Sequence, residues 1–403
     1  MIERSWAVAD GHPFGVATLP YGCFTAGGAP KAGVAVGDRV LDLTEAARVL
    51  LPGRAGLFAG GTLDPLLAAG PAVWAEVREA VGGWLRDDRF RPAVEPLLHP
   101  AAEVTMRLPF TVADYTDFYA SEHHAANLGR ILRPGTDPLP AAWKHLPLGY
   151  HGRAGTVVVS GSPVPRPAGQ LRDADGRIRV GPSEKLDIEA ELGFVVGAGS
   201  DGPVAVGGFD RHVLGVCLVN DWSARDIQAW EYVPLGPFLG KSFATSVGAW
   251  VVPLAALEAA RVPPPPRDPA PLAWLDDRDA PPWGLDVRFE VRLNGHLIAR
   301  PPFAAMYWTG AQQLAHLTSN GARVRTGDLF ASGTVSGPAP DELGSLIELT
   351  RNGQTPLTLP GGSTRAFLED GDEVVITATA PGPGGTTIGL GEVRGRVVPA
   401  HSR

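Results

Sequence analysis

The chain alternates short apolar runs with clusters of glycine, proline and polar residues, a pattern typical of many short strands. The pairs Gly37-Asp38 and Asn294-Gly295 predict tight hairpin turns. Strands are predicted at 15–19, 21–24, 33–36, 39–43, 156–160, 192–196, 213–219, 249–252, 287–293, 346–349 and 373–378. The pattern therefore predicts a mainly β fold of the α+β class.

Apolar residues recur at helical spacing in two segments. Val73, Val77 and Val81 indicate one helix, and Gly70-Pro71 offers its start. The second predicted helix spans 306–317. We find no alternation of strands with helices and no glycine-rich phosphate loop, so the sequence argues against a nucleotide-binding α/β fold.

A chain of 403 residues exceeds one ordinary hydrophobic core and predicts two domains. We expect a small β domain with a helical insertion over 1–113 and a larger domain over 114–403. Clusters of titratable residues occur only in the second part. The chemistry is therefore expected there, and the first part is expected to support or oligomerise it.

The net charge of −8 argues against nucleic acid as the main partner and permits a site that holds cations. Cys23 and Cys217 are the only cysteines, which excludes a disulfide framework and a thiolate metal site. No apolar run reaches the roughly 18 residues that a membrane-spanning helix needs. We expect a cytoplasmic protein in a reducing compartment.

A polar stretch follows the apolar run 213–219. Asp221 and Ser223 predict a helix start, because short oxygen-bearing side chains satisfy free N–H groups there. One face of that helix would carry Asp221, Arg225, Gln228 and Tyr232. Prolines and glycines between 234 and 240 predict a rigid loop that brings Lys241 close. These residues indicate either a polar site or a solvated helix face.

Four carboxylates are candidates for a metal site. Glu189 and Glu191 would point to the same side of a strand, where their like charges repel unless a cation lies between them. Asp117 and Asp221 could complete the set. Carboxylates without cysteine or clustered histidine suit Ca²⁺ or Mg²⁺ better than Zn²⁺. An exposed strand could carry the same Glu-x-Glu pattern without a metal.

Candidate acid–base residues are more scattered. His123 and His124 are neighbours, so only one of them can readily face a given pocket. Tyr150 lies in a predicted loop rich in histidine, proline and glycine. Glu348 lies on the predicted strand that follows the small-residue loop 332–338. Spacing alone does not bring these segments together.

Several of these segments resemble the fumarylacetoacetase family. The motifs that carry the resemblance are Asp114-Tyr-Thr-Asp-Phe-Tyr, His145-Leu-Pro-Leu-Gly-Tyr-His-Gly-Arg, the stretch 220–243 and Ser332-Gly-Thr-Val-Ser-Gly-Pro. The likeness extends to Leu19-Pro-Tyr-Gly and Asp370-Gly-Asp-Glu-Val-Val-Ile, and so covers nearly the full length. The long 220–243 match makes chance agreement untenable.

The resemblance implies a homodimer whose subunits have a small SH3-like N-terminal barrel and a larger C-terminal mixed β-roll. It implies hydrolysis of 4-fumarylacetoacetate to fumarate and acetoacetate, the last step of tyrosine and phenylalanine catabolism. It also implies a catalytic Ca²⁺ and a second site for Mg²⁺ and a nearby monovalent cation.

The resemblance further implies roles for individual residues. His124 corresponds to the catalytic histidine and Glu348 to its carboxylate partner. The metal residues implied are Asp117, Glu189, Glu191 and Asp221 for Ca²⁺, with Asp221, Lys241 and Thr245 near the second cation. The remaining positions, which would contact the substrate or its reacting atoms, are Tyr119, Arg133, Tyr150, Arg225, Gln228, Tyr232, Lys241 and Thr334.

One departure and two alternatives remain at this point. Ala244 stands where the family motif has glycine, which matters for the second cation only if the backbone there has a positive φ. A related acylpyruvate or diketone hydrolase, or an oxo-acid decarboxylase, would keep the carboxylates without needing His124 and Glu348. A non-catalytic metal-binding homologue is the alternative from another class.

Overall fold

The structure is a computed structural model that describes residues 5–401. Short strands dominate, as the sequence predicts. In the first part the strands are Tyr21–Thr25 (β1), Lys31–Val36 (β2), Arg39–Asp42 (β3), Leu98–Pro100 (β4) and Thr105–Arg107 (β5). The helices there are Leu43–Leu50 (α1), Asp64–Ala68 (α2), Pro71–Arg86 (α3) and Arg91–Val94 (α4). This smaller part contains both strands and helices, and the predicted β domain with a helical insertion over 1–113 stays a prediction.

The larger part contains the remaining elements. Its strands are Asp114–Phe118 (β6), Gly149–His151 (β7), Val157–Val159 (β8), Pro163–Pro165 (β9), Ala168–Arg172 (β10), Ile178–Pro182 (β11), Leu186–Asp187 (β12), Ala190–Val196 (β13), Val213–Asp221 (β14), Ser223–Ala224 (β15), Thr245–Val247 (β16), Trp250–Pro253 (β17), Arg261–Val262 (β18), Gly284–Leu285 (β19), Arg288–Leu293 (β20), His296–Ala299 (β21), Asp328–Ala331 (β22), Leu357–Thr358 (β23), Thr364–Arg365 (β24), Glu373–Pro381 (β25) and Thr387–Val398 (β26). Its helices are Glu122–Leu132 (α5), Phe209–His212 (α6), Arg225–Glu231 (α7), Gly310–Thr318 (α8) and Leu346–Leu349 (α9).

One large sheet runs through both parts. Its main path is β4-β3-β2-β1-β17-β14-β13-β22-β6-β7, and β1 joins β17 of the larger part with Tyr21 opposite Val251 and Gly22 opposite Trp250. A Cβ on Gly22 would stand 2.7 Å from the carbonyl oxygen of Ala249 and from the Trp250 ring, so only glycine fits this junction. The two parts therefore share backbone hydrogen bonds.

A second sheet packs beside the first. Its order is β21-β20-β25-β26-β9, and its apolar residues share one core with those of β13 and β14. Phe194, Trp222 and Phe289 are among the largest fully buried side chains of that core. The strand β14 is buried along its whole length, and its last residue, Asp221, carries a carboxylate into the interior.

Three predictions of local structure are wrong. Asp221 does not start a helix, because β14 continues to Asp221 through pairing with β16, and α7 begins at Arg225. Residues 346–349 form a short helix and no strand, since the Asp187 carboxylate accepts the N–H groups of Leu346 and Ile347. The segment 15–19 forms turns.

The predicted helix 306–317 is present as α8 but begins at Gly310. Thr309 and Gln312 form a capping box at its start, which fixes the later boundary. Within the described residues, no helix is both long enough and apolar enough to cross a membrane.

Candidate active site

Three strands of the large sheet deliver the carboxylates. Asp117 lies on β6, Glu191 on β13 and Asp221 at the end of β14, while Glu189 directly precedes β13. All four side chains are buried. Asp117, Glu189 and Glu191 each place an oxygen within 4.8 Å of the others, and Asp221 lies outside that group of three. The predicted Glu-x-Glu pair therefore faces the interior and not solvent.

The carboxylate of Glu191 has no donor for either oxygen among the described residues, and one oxygen of Asp117 lacks a donor as well. Burial raises the pKa of Glu191 well above its usual range, and the charges of Asp117 and Glu189 raise it further. Burial and the charge of Asp221 likewise raise the pKa of Asp117. Unpartnered buried charge is costly, so this set of hard oxygen donors fits a divalent cation.

Asp221 has its donors within the protein. Thr245 Oγ1 donates to Asp221 Oδ1 over 2.7 Å, and Tyr150 Oη donates to Oδ2 over 2.7 Å. Lys241 Nζ lies 2.9 Å from the same Oδ2 and also forms a short ion pair with Glu189. Burial disfavours the ammonium, but the charges of Asp221 and Glu189 outweigh it and raise the pKa of Lys241.

These contacts bear on the second cation that the resemblance implies. A small cavity of about 120 Å³ lies beside them, lined by Tyr150, Asp221, Lys241 and Thr245. Ala244 is buried, and the described non-glycine residues with a positive φ are Leu19, Asn294, Arg351 and Asn352. The alanine therefore causes no backbone strain at this position.

His124 and Glu348 form a buried pair. The His124 Nδ1 atom lies 2.6 Å from Glu348 Oε2, although the two residues are 224 positions apart in the chain. Ser121 caps the start of α5 by accepting the backbone N–H of His124. The other ring nitrogen, Nε2, lies 3.9 Å from Glu189 Oε1. His123 is half-buried, whereas His124 is fully buried, so the structure distinguishes the two histidines.

The carboxylate of Glu348 is held by further donors. Asn127 Nδ2, Ser336 Oγ and Ser345 Oγ donate to it over 2.9, 3.0 and 2.7 Å. Burial alone would raise the pKa of Glu348, but the charge of His124 and these hydrogen bonds lower it below its usual value. Glu348 is therefore fixed as an anion that orients His124.

Arg225 lies between the acidic residues. Its Nη1 atom is 2.7 Å from Glu189 Oε1 and donates to Gln228 Oε1 over 3.1 Å, and its Nε donates to Asp187 Oδ2 over 2.8 Å. The buried Nη2 has no partner among residues 5–401. Burial disfavours the cation, but the charges of Asp187 and Glu189 raise the pKa of Arg225. Arg225 is therefore a buried cation beside the acidic group, with one nitrogen that has no described partner.

A cavity of about 540 Å³ opens onto these groups. Its polar lining comes from Asp117, Tyr119, His124, Arg133, Tyr150, Glu189, Gln228, Tyr232, Lys241 and Thr334. Its apolar lining includes Leu128, Leu132 and Leu148. Except for Arg225, the residues that the resemblance implies for substrate contact thus line one cavity, and Asp221 lies on β14 and not on the predicted helix face.

The cysteines play no part in this site. Both are buried, and burial raises the pKa of Cys23 and of Cys217 to about 12. A thiolate nucleophile is therefore not available near neutral pH.

Several residues that support the site are not predicted by any sequence pattern. Asp187 bonds Arg225, and Asn127, Ser336 and Ser345 surround Glu348. The serines and the asparagine gave no sequence signal, because their partner lies far along the chain. The alternation Asp187, Glu189, Glu191 could have revealed Asp187 as a third acidic residue on the same side.

The chain is similar to known proteins over nearly its whole length. Residues 17–109 match the model of the fumarylacetoacetase N-terminal domain, and residues 114–398 match that of the fumarylacetoacetate (FAA) hydrolase C-terminal domain. The chain is 44% identical to the fumarylacetoacetase of Homo sapiens over 413 residues, with 98% of each chain covered. It is 40% identical to that of Arabidopsis thaliana, with 97% of each covered.

The fold is also similar to that of a solved structure, a fumarylacetoacetate hydrolase from psychrophilic Exiguobacterium antarcticum. The two share 18% identity at a TM-score of 0.54, with 95% of this chain and 100% of the other covered. This likeness concerns the fold alone. On the family models and the curated relatives together, the chain belongs to the fumarylacetoacetase family.

Proposed function

We propose that this protein hydrolyses the carbon–carbon bond of 4-fumarylacetoacetate and releases fumarate and acetoacetate. Its family membership supports this activity, and the relatives that cover almost the whole chain carry the name fumarylacetoacetase. The structural observation that carries the proposal is that the His124–Glu348 pair and the acidic group of Asp117 and Glu189 open onto one cavity.

The reaction requires water to attack a ketone and a carbon leaving group to depart. The bond that breaks joins the fumaryl carbonyl carbon to the methylene between the two ketones. A new carbon–oxygen bond forms from water, and the departing enolate takes up a proton to give acetoacetate. The site must therefore supply a base, donors for an oxyanion, and stabilisation of the enolate.

His124 is the general base. Its Nδ1 is occupied by Glu348, so Nε2 is the nitrogen that can take a proton from water. Glu348 holds the ring in place and stabilises the imidazolium that forms. The proton on Nε2 can then pass to the enolate carbon. A positioned base of this kind contributes roughly 10²–10⁴ in rate.

Arg225, Gln228 and Lys241 are the donors for the tetrahedral oxyanion. Arg225 offers its unpartnered Nη2, and Gln228 and Lys241 line the cavity. Because the site is buried, such donors act with little competition from water.

Asp117, Glu189 and Glu191 would hold a divalent cation, with Asp221 beside them. The unpartnered oxygens of Glu191 and Asp117 support this assignment, and oxygen donors favour Ca²⁺ or Mg²⁺. When bound, the cation would act as a Lewis acid on the diketone oxygens and favour the leaving enolate. Lys241, Thr245 and Asp221 would border the second cation, which we propose to be Mg²⁺.

The outer part of the cavity would bind the rest of the substrate. Arg133 would pair with a substrate carboxylate, for which a guanidinium fork is suited. Tyr119, Tyr150, Tyr232 and Thr334 would contact the chain and its ketones. We further propose that the protein is a cytoplasmic homodimer that acts in tyrosine and phenylalanine catabolism.

Two variants of adjacent histidines test the activity. Loss of the diketone absorbance after addition of fumarylacetoacetate measures turnover. His124→Ala should reduce kcat at least 10²-fold, whereas the matched control His123→Ala, one position away on α5, should stay near wild type. Near-normal turnover of His124→Ala would remove the base assignment. Wild-type turnover of acylpyruvates alone would favour the related hydrolase, release of CO₂ the decarboxylase, and no turnover the non-catalytic homologue.

A further inference from the structure

A buried carboxylate outside the predicted site accepts hydrogen bonds from two separate elements. Asp187 Oδ1 accepts the N–H groups of Ile188 and Leu346, each over 2.7 Å. Its Oδ2 accepts the N–H of Ile347 over 3.0 Å and Arg225 Nε over 2.8 Å. The side chain is fully buried. With four donors already in place, Asp187 is committed to protein contacts and not to substrate.

The first contact fixes the orientation of Arg225. A guanidinium is planar, so its bonds through Nε to Asp187 and through Nη1 to Glu189 determine where Nη2 points. That Nη2 is the buried donor without a described partner. Asp187 thus sets the direction of the unpartnered Nη2 group of Arg225.

The second contact fixes the short helix α9. A helix of four residues has no stability of its own, and Ser345 at its start makes no side-chain cap bond. Asp187 supplies that cap from 159 and 160 residues away by accepting the N–H groups of Leu346 and Ile347. The helix carries Glu348, which in turn holds His124. Asp187 therefore bears on the orientation of the base as well.

We propose that Asp187 is a positioning residue that aligns Arg225 with the His124–Glu348 pair. One carboxylate joins the donor for the oxyanion to the helix that orients the base, so both keep a fixed geometry relative to the same substrate. This inference rests on the proposed hydrolysis, and it goes beyond it by assigning a task to a residue that touches no reacting atom.

Asp187→Asn tests the junction between Arg225 and α9 as a whole. Wherever the amide nitrogen lies, it meets at least one N–H donor and breaks one side of the junction. We expect kcat to fall about 10²-fold, as for other small misplacements of catalytic groups, with KM within about 2-fold because the residues proposed to grip the substrate are not touched. A kcat within a factor of about 2 of wild type would overturn the proposal.

A double-mutant cycle separates positioning from general damage. In an Arg225→Met background, Asp187→Asn should lose the part of its effect on kcat that acts through Arg225 and keep the part that acts through α9, so the combined loss should fall short of the product of the two single losses. Independent effects would multiply in full, and that result would overturn the link to Arg225. Wild-type inactivity towards fumarylacetoacetate would instead reject the proposed function, so the two failures are distinguishable.

A second pair of variants tests the link to α9 and applies even if Asp187→Asn does not fold. Leu346 is the first helical residue, where proline is compatible with a helix. Leu346→Pro and Leu346→Ala both lose the buried side chain, but only the proline loses the N–H that Asp187 accepts. We expect kcat of the proline variant to be about 10-fold lower than that of the alanine variant, the equivalent of one hydrogen bond. Equal kcat values would overturn this link.

Discussion

The two halves of the buried polar site are built differently. Around Asp221, each carboxylate oxygen has a donor, from Thr245 on one side and from Tyr150 and Lys241 on the other. Around Glu191, neither oxygen has a donor among the described residues. The first half is complete as a protein structure, and the second half is stable as an anion only with a cation. The fold thus completes one half with its own donors and leaves in the other half acceptors that a cation could satisfy.

Among the changes that test this difference, removal of Lys241 should lower the stability of the protein most. Lys241→Met would leave Asp221 and Glu189 buried without the ammonium group that they share. Breaking a buried ion pair costs about 3–5 kcal/mol. Urea unfolding in the presence of a chelator would measure the loss. An unchanged midpoint would show that the paired half does not depend on this ammonium.

Removal of the divalent cation should have the next largest effect, on the other half. Because the ion binds the folded chain, free Ca²⁺ or Mg²⁺ at about 100 times its Kd should stabilise the protein by about 2.7 kcal/mol. Thermal unfolding with and without chelator would show the shift, and activity should return when the ion is restored. Full activity in metal-free protein would contradict the role of the ion.

Glu191→Gln should stabilise the metal-free protein and abolish the stabilisation by added cation. A metal-free Glu191 must either keep a buried charge without a donor or take up a proton, and glutamine avoids both costs, so the metal-free variant should be more stable than metal-free wild type by about 1–3 kcal/mol. The same variant should lose the stabilisation by added cation. A metal-free Glu191→Gln protein that is less stable than wild type would show that Glu191 is satisfied without metal.

The smallest expected effect concerns pH and the His124–Glu348 pair. The pKa of Glu348 is lowered in the folded protein, so its contribution to stability is present above the unfolded pKa and is lost as pH falls through the lower folded pKa. Between about pH 6 and pH 3, which brackets the usual carboxyl range, wild type should lose more stability than Glu348→Gln. Chemical unfolding at each pH would measure the stability of the two proteins. Equal losses of stability in wild type and Glu348→Gln would contradict this coupling.

Local sequence patterns predicted the strands well and the site only in part. The strand at 213–219 follows from its unbroken apolar run, because β14 is buried along its whole length. The helix near 73–81 follows from periodicity, because α3 buries one side against the core. The helix expected at Asp221 failed because pairing with β16 extends the strand, a contact that lies outside any local window. The same limit explains 346–349, whose helix depends on a carboxylate at Asp187.

Most residues of the site were predicted from the family resemblance and not from local patterns. Spacing indicated that Glu189 and Glu191 share a side, and the structure brings both to Asp117. Spacing gave no reason to pair His124 with Glu348, since 224 positions separate them. Supporting residues such as Asn127 were harder still to predict. Asn127 bonds Glu348, and the sequence did not show where Glu348 lies.

The junction at Gly22 has a consequence for truncated forms of the chain. Strand β1 covers one edge of β17, and β17 lies next to β14, the strand that ends in Asp221. A catalytic part produced without its N-terminal strands would expose that edge as a row of unpaired backbone groups, a template for self-association. We therefore expect the N-terminal strands to protect the edge of β17 from aggregation.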